Sequence, residues 1–191
     1  MIPLTPTDVR RPIDYWPVRS QERRRLVELR RNRRHILGEL VSLVFENRDT
    51  VKGMVEAILC AGWIEDAKRI ADEVELLNVL VPCGGDLRAT LFVAARDRSD
   101  MELMRELEGT LVPHVHLVFG DGSMETAEEL DEAERTPAVH YVRFHIDAAE
   151  KTAFLDRGTT VAVVVDHPRY SSSTELTPLQ RAALAADLAH P

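Results

Sequence analysis

Three short stretches hold the side chains best suited to chemistry: "FENR" (Phe45 to Arg48), "YVRFH" (Tyr141 to His145) and "DHPRY" (Asp166 to Tyr170). On a strand from Ala138 to Ile146, alternation places Tyr141, Arg143 and His145 on one face and His140, Val142, Phe144 and Ile146 on the other. A phenol, a guanidinium and an imidazole in one row suit an anionic ligand or proton transfer. A solvated face of a half-buried sheet would carry the same alternation. In "DHPRY", Asp166 sits beside His167 with Tyr170 close behind, at the polar exit of the apolar run Val161 to Val165. There a carboxylate could orient or assist an imidazole and a phenol could supply a hydroxyl. The plainer alternative is a strand end stopped by Pro168. In "FENR", Glu46 and Arg48 read either as ligand-positioning charges or as a salt bridge fastening helix to sheet, and Asn47 is a natural helix cap.

His114 and His116 also share a strand face, a spacing used by strand-borne metal sites. Joined by Glu46, His145, Asp166 or His167, they would form a mixed imidazole and carboxylate set suited to iron, manganese or zinc; His167, His145 and Glu46 are the expected ligands. No compact ligand motif such as HExxH is present, and neither GxGxxG nor GxxxxGK[ST] appears. Ser171, Ser172 and Ser173 lack the GxSxG context of a serine nucleophile. Cys60 and Cys83 form no CxxC pair, so reduced thiols are expected.

The elements that must position these residues can be read from periodicity and caps. An arginine-rich amphipathic helix is predicted over residues 20–37, capped by Ser20 and ended by Gly38. A strand (Leu40 to Glu46), two helices broken at Gly62, and a strand (Leu87 to Ala95) after the "PCGGD" turn follow. A short helix (Asp100 to Glu108), a strand (His114 to Gly122), an acidic segment, the Ala138 strand and a helix from Asp147 come next. The unbroken apolar run within Thr159 to His167 predicts a central strand, followed by a Ser-rich loop. Thr177, Pro178 and Gln180 open a tail helix with a capping box. Strands and helices without βαβ alternation predict an α+β fold: a mainly antiparallel sheet of about five strands packed with helices. The expected organisation is an N-terminal arm (1–19), a single domain (20–176) and a C-terminal helix (177–191).

The 191 residues carry a net charge of −8, yet residues 1 to 36 hold ten arginines against four acids, +6, which leaves −14 on the rest. A basic arm on an acidic body argues for pairing with acids such as Glu125 to Glu134, or for a partner or dimer interface. Without interleaved aromatics the arginine helix is a poor nucleic-acid reader. No apolar run approaches a membrane span, and the N-terminus lacks a secretory pattern, so a cytoplasmic protein is expected.

Five ordered motifs, "RRNRRHILG", "LVFENRDTV", "LLNVLVPCGGDLRATLF", "AVHYVRF" and "VDHPRY", together resemble the bacterial family known as domain of unknown function 3501. The resemblance runs from about Asp14 to Leu176. It implies a redox or metal-linked setting and protein partners, because members are often encoded beside rubrerythrin-like and iron–sulfur proteins. Residues matching the family's recurring polar positions are Glu46, Asn47, Arg48, Asn78, Pro82, Tyr141, Arg143, Asp166, His167 and Tyr170. The chain departs from the pattern at Met54, Ala57 and Cys60, at Asp86 in place of a glutamate, and at His140 in place of a glutamine.

These readings converge on a homodimeric accessory protein of a redox or metalloprotein system. It would bind a small anionic ligand or metal in a pocket of "FENR", "YVRFH" and "DHPRY", with Asn78, Asp86 and His140 among its lining. The rival is a metal-dependent or histidine acid/base enzyme acting on a small carboxylate- or phosphate-bearing substrate.

Overall fold

Gly38 decides how the first sheet begins. Its φ of +70° is a conformation that residues with a Cβ rarely adopt, and it folds Arg34–Leu37 (β1) back onto Val41–Phe45 (β2) as an antiparallel hairpin. Helix α1 (Pro12–Tyr15) and helix α2 (Arg19–Arg31) precede it. The helix predicted over residues 20–37 therefore stops early. From Arg34 onward burial alternates, with His35 and Leu37 inside and Arg34 and Ile36 outside, which is the period of a strand. Gly38 turns a hairpin and does not end a helix.

The computed structural model describes residues 1–130, 137–156 and 158–189. Helices α3 (Arg48–Ala61) and α4 (Ala67–Asn78) lead to strand β3 (Asp86–Val93), followed by helix α5 (Arg98–Leu107) and strands β4 (Val115–Phe119), β5 (Met124–Thr126) and β6 (Glu128–Glu129). Strand β7 (Val139–His145), helix α6 (Ala148–Leu155), strands β8 (Val161–His167) and β9 (Tyr170–Glu175), and helix α7 (Pro178–Ala189) complete the chain. Every strand pairing is antiparallel. They form a five-stranded sheet ordered β1-β2-β3-β7-β6 and a four-stranded sheet ordered β5-β4-β8-β9. The fold is a single-domain α+β fold with two antiparallel sheets where one was expected. The stretch predicted as a Ser-rich loop is the edge strand β9; the hydroxyls of Ser171 and Ser173 face outward there, so it carries no apolar signal.

Both sheets give their apolar faces to one interior. Leu87, Ala89 and Leu91 of β3 and Val142 and Phe144 of β7 meet Val115 and Leu117 of β4 and Val163 and Val165 of β8, with Leu184 and Leu188 of α7 closing the cluster. The opposite face of the five-stranded sheet is covered by a second apolar layer, in which Val51, Val55 and Leu59 of α3 pack with Ile70, Val74 and Leu77 of α4 and with Leu4 and Val9 of the N-terminal arm. That arm is fastened by polar residues of the family pattern. Asn78 exchanges two hydrogen bonds with the backbone of Leu4, at 2.8 and 2.9 Å, and Arg48 donates to the Ile2 carbonyl at 3.1 Å and pairs with Asp8 at 2.8 Å.

Helix starts follow their caps. Asn47 and Thr50 form a capping box on α3, Asp147 and Glu150 one on α6, and Thr177 and Gln180 bond reciprocally at the start of α7. Among the described residues, the arginine-rich segment finds its acids nearby. Arg10 forks onto buried Glu56 at 2.8 and 3.0 Å, Arg25 lies 3.6 Å from Glu22 and from Asp49, and buried Arg33 grips Asp187 of α7 at 2.6 and 3.0 Å. Of the predicted acids, Glu125 and Glu128 bond to β7 instead, while residues 131–136 lie outside the described residues.

His35 is fully buried against Phe45, ring centroids 5.4 Å apart, and neither ring nitrogen has a hydrogen-bond partner. Burial alone pushes its pKa down to about 4. A depressed imidazole stays neutral in the native state while the unfolded chain takes up a proton below ~6.5. Its contribution is thus complete above that value and is lost as pH falls toward 4, by up to about 3 kcal/mol. Denaturant unfolding of His35→Leu is expected to show a flatter decline of stability between about pH 6.5 and 4.5 than the parent; identical slopes would contradict the assignment.

Candidate functional site

On the outer face of the four-stranded sheet, two imidazoles converge on one carboxylate oxygen. β4 and β8 pair with Val115 opposite Val165, so the next step along the ladder brings His114, in the turn before β4, opposite Asp166. His114 Nδ1 lies 3.0 Å and His116 Nε2 3.1 Å from Asp166 Oδ1. The two bonds hold the Asp166 carboxyl below the usual carboxylate range, His114 first and His116 second. An ionised Asp166 accepts from both rings. His116 is buried and its other nitrogen meets Thr126 Oγ1 at 3.0 Å. His114 is about a third exposed, and its Nε2 has no hydrogen-bond partner among the described residues. Ser171 sits opposite Asp166 and Ser173 opposite Val164, so hydroxyls flank the imidazoles on the same face.

The remaining members of "DHPRY" do other work. His167 points inward; its Nδ1 accepts from the Arg169 N–H at 3.2 Å and its Nε2 meets Thr110 Oγ1 at 3.1 Å, while its ring contacts His114 edge-on at 4.9 Å. Burial, then the neighbouring His114 and Arg169 charges, push its pKa down. Neutral and with both nitrogens engaged, His167 latches the turn after α5 to the β8–β9 hairpin. Tyr170 uses its whole hydroxyl on the β1–β2 turn. It donates to the Leu37 carbonyl and accepts from the amides of Leu40 at 3.1 Å and Val41 at 3.3 Å. A Cβ on Gly38 would stand 2.6 Å from that oxygen, so glycine is required there for approach as well as for φ.

The face of the five-stranded sheet turned toward α3 and α4 carries the second set. As the alternation predicts, Tyr141, Arg143 and His145 share it, opposite Thr90, Arg88 and Asp86. His145 Nδ1 is 3.1 Å from Asp86 Oδ1, and that bond pushes the pKa of this exposed imidazole up. Arg143 is committed to Glu128 at 2.6 Å. Arg88 caps the end of α4 through the Val79 carbonyl at 2.6 Å and donates to Sγ of exposed Cys83 at 2.9 Å. Glu46 is buried, accepts from Thr90 at 3.0 Å and lies 3.6 Å from Arg30. The pair expected between Glu46 and Arg48 does not form, because Arg48 turns to the arm and α2 brings Arg30 over the sheet. His140 faces the interior and bonds Glu129 at 3.0 Å.

The structure therefore does not assemble "FENR", "YVRFH" and "DHPRY" into one pocket. Tyr141, Arg143 and His145 have the parity that faces away from the shared interior, and Asp166 has the parity that faces away from it on the other sheet. The expected ligands His167, His145 and Glu46 stand in these separate environments, and among the described residues no group of three or more His, Cys, Asp or Glu is arranged to hold a metal ion. Cys83 is a residue that the sequence gives no reason to place in a site, whereas His114 and His116 were expected as a strand-borne pair that Asp166 could join. The His114–His116 spacing was a usable signal; nothing local marks Cys83, whose neighbours come from β3.

A family model described as a protein of unknown function, DUF3501, matches residues 3–188. The chain belongs to this family. Its fold is shared with a crystal structure of a novel protein of unknown function from Burkholderia pseudomallei K96243. The two are 28% identical with a TM-score of 0.88 over 97% of this chain and 99% of the other. None of the curated proteins compared matches.

Tyr170→Phe leaves one carbonyl and two amides of the Gly38 turn without their partner, so it is expected to lower unfolding free energy by about 1–3 kcal/mol. His114→Ala, at a position about a third exposed, is expected to change it by less than about 0.5 kcal/mol. Urea titrations of both variants check the contrast.

Proposed function

We propose that this DUF3501 protein is an accessory protein of a redox or metalloprotein system that binds a small anionic ligand on the outer face of its four-stranded sheet and works with protein partners. The observation that carries the ligand reading is the convergence of His114 and His116 on Asp166 with one imidazole nitrogen left open. Both imidazoles spend one ring nitrogen on Asp166, and the serine and threonine hydroxyls beside them suit an oxyanion of carboxylate or phosphate type. The resemblance to proteins encoded beside rubrerythrin-like and iron–sulfur partners supports the setting.

The same geometry favours one second reading, a histidine acid/base enzyme. A carboxylate on Nδ1 fixes the tautomer that leaves Nε2 as a base, the arrangement a general base requires. His114 then takes the proton and Asp166 steadies the imidazolium.

Inorganic phosphate tests the first reading. Histidine ring resonances followed by NMR are expected to show a saturable shift of His114 on addition of phosphate, lost in Asp166→Asn through altered orientation of the ring. A spectrum unmoved by phosphate would refute small-anion binding at this face.

A further inference from the structure

The sequence has two tryptophans, and they stand together, half exposed and edge to face, with ring centroids 6.0 Å apart. Trp63 is held at φ +47°, the left-handed region that disfavours a bulky side chain. A surface position gives no packing reason to keep a strained indole there; a contact surface does. Trp16 also lines a groove of about 740 Å³ between α2 and α3. Its floor is apolar, with Met54, Ala57 and Ala61 on the α3 side, and its lining holds Arg19, Arg23 and Arg30 but no acid. A second hollow of about 590 Å³ shares Val27 and Arg30 with it and adds Arg31 and Arg34 together with one acid, Glu28, which lies 3.5 Å from Arg31. Val27 is 61% exposed, and Arg23 has no ion pair among the described residues.

We propose that this groove docks an acidic amphipathic helix of a partner protein. Tryptophan and arginine around an apolar floor are the composition of interface anchors. Ala57 and Ala61, one turn apart, keep the α3 wall low enough for a third helix to lie along the first two. The charge selects the partner: a cationic face on a chain of net charge −8 attracts acidic surfaces at close range. A second copy presenting the same face would set arginine against arginine, which opposes a symmetric dimer through this groove. The inference gives a surface to the partner half of the proposed function and rests on none of the imidazole site.

Trp16 lines the groove and Trp63 packs edge-on against that ring, so intrinsic fluorescence reads the groove's occupancy. The probe is a tryptophan-free helical peptide of about 18 residues with glutamate on one face and leucine on the other, compared with its scrambled form and with a lysine-for-glutamate form. The acidic amphipathic peptide alone is expected to give a saturable emission shift. Arg23→Glu is expected to weaken it about tenfold, and Trp63→Gly to weaken it while leaving the melting temperature equal or higher. His114→Ala is expected to bind the peptide normally, which separates this test from that of the anion site. The proposal is overturned by no saturable shift, by equal binding of the scrambled or lysine peptide, by binding of decanoate without binding of the peptide, or by a dimer in sedimentation that Trp16→Ala dissolves.

Discussion

Face-to-face packing of two antiparallel sheets around one apolar interior is the constraint from which the placement of every polar group follows. Alternation leaves each strand only two destinations for a side chain. Leu87, Ala89 and Leu91 take the interior, so Asp86, Arg88 and Thr90 must face the helices. Val163 and Val165 take the interior, so Asp166 must face outward from the other sheet. A single pocket drawing on "YVRFH" and "DHPRY" would need one of the strands to slip by a residue, which would turn its valines or its phenylalanine out into water. The hydrophobic effect thus separates two polar surfaces that the sequence presents as one list.

Between those surfaces, many family-pattern residues act as fasteners. Asn47 caps α3, Arg48 and Asn78 hold the N-terminal arm, and Tyr170 ties β9 to the Gly38 turn. The last tie joins the edge of one sheet to the hairpin of the other, a place where neither sheet's own ladder reaches. Thr174 adds to it through the Ile36 carbonyl at 2.6 Å. Arg33 and Asp187 do the same for the tail helix at greater electrostatic risk: both are buried, so removing Asp187 would leave the Arg33 charge buried without this carboxylate. Polar residues at matched positions therefore report the joining of layers at least as often as chemistry.

Local chemistry was legible where a signal is complete within a few residues. The capping residues at Asn47, Asp147 and Thr177, the break at Gly62 and the two faces of β7 all stand where the sequence places them. The arginine run misled because arginine is a good helix former and Leu26, Leu29, Arg33 and Ile36 mimic a helical stripe, while Gly38 can equally end a helix or turn a hairpin. Strand β9 escaped because an edge strand with outward hydroxyls has no apolar alternation to read. Strand register was the information missing for the site. His114 meets Asp166 and Cys83 meets Arg88 only once β4 is paired with β8 and the chain has turned at Gly84 and Gly85 into β3.

The imidazoles show why register decides function. His35 has no partner and no solvent, His140 is spent on Glu129, and His167 is spent on Thr110 and a backbone amide. Each is a satisfied or silenced ring, and each lies on an inward-facing position. His145 and His114 lie outside, and in both the carboxylate takes Nδ1. They differ in what surrounds the dyad. Around Asp86 the cations are already paired, Arg143 with Glu128 and Arg88 with the end of α4 and with Asp86 itself. Around Asp166 the hydroxyls of Ser171 and Ser173 and the outer nitrogen of His114 remain, groups that no acid among the described residues has claimed. That difference, and not the presence of histidine beside aspartate, is what makes the outer face of the four-stranded sheet the stronger site.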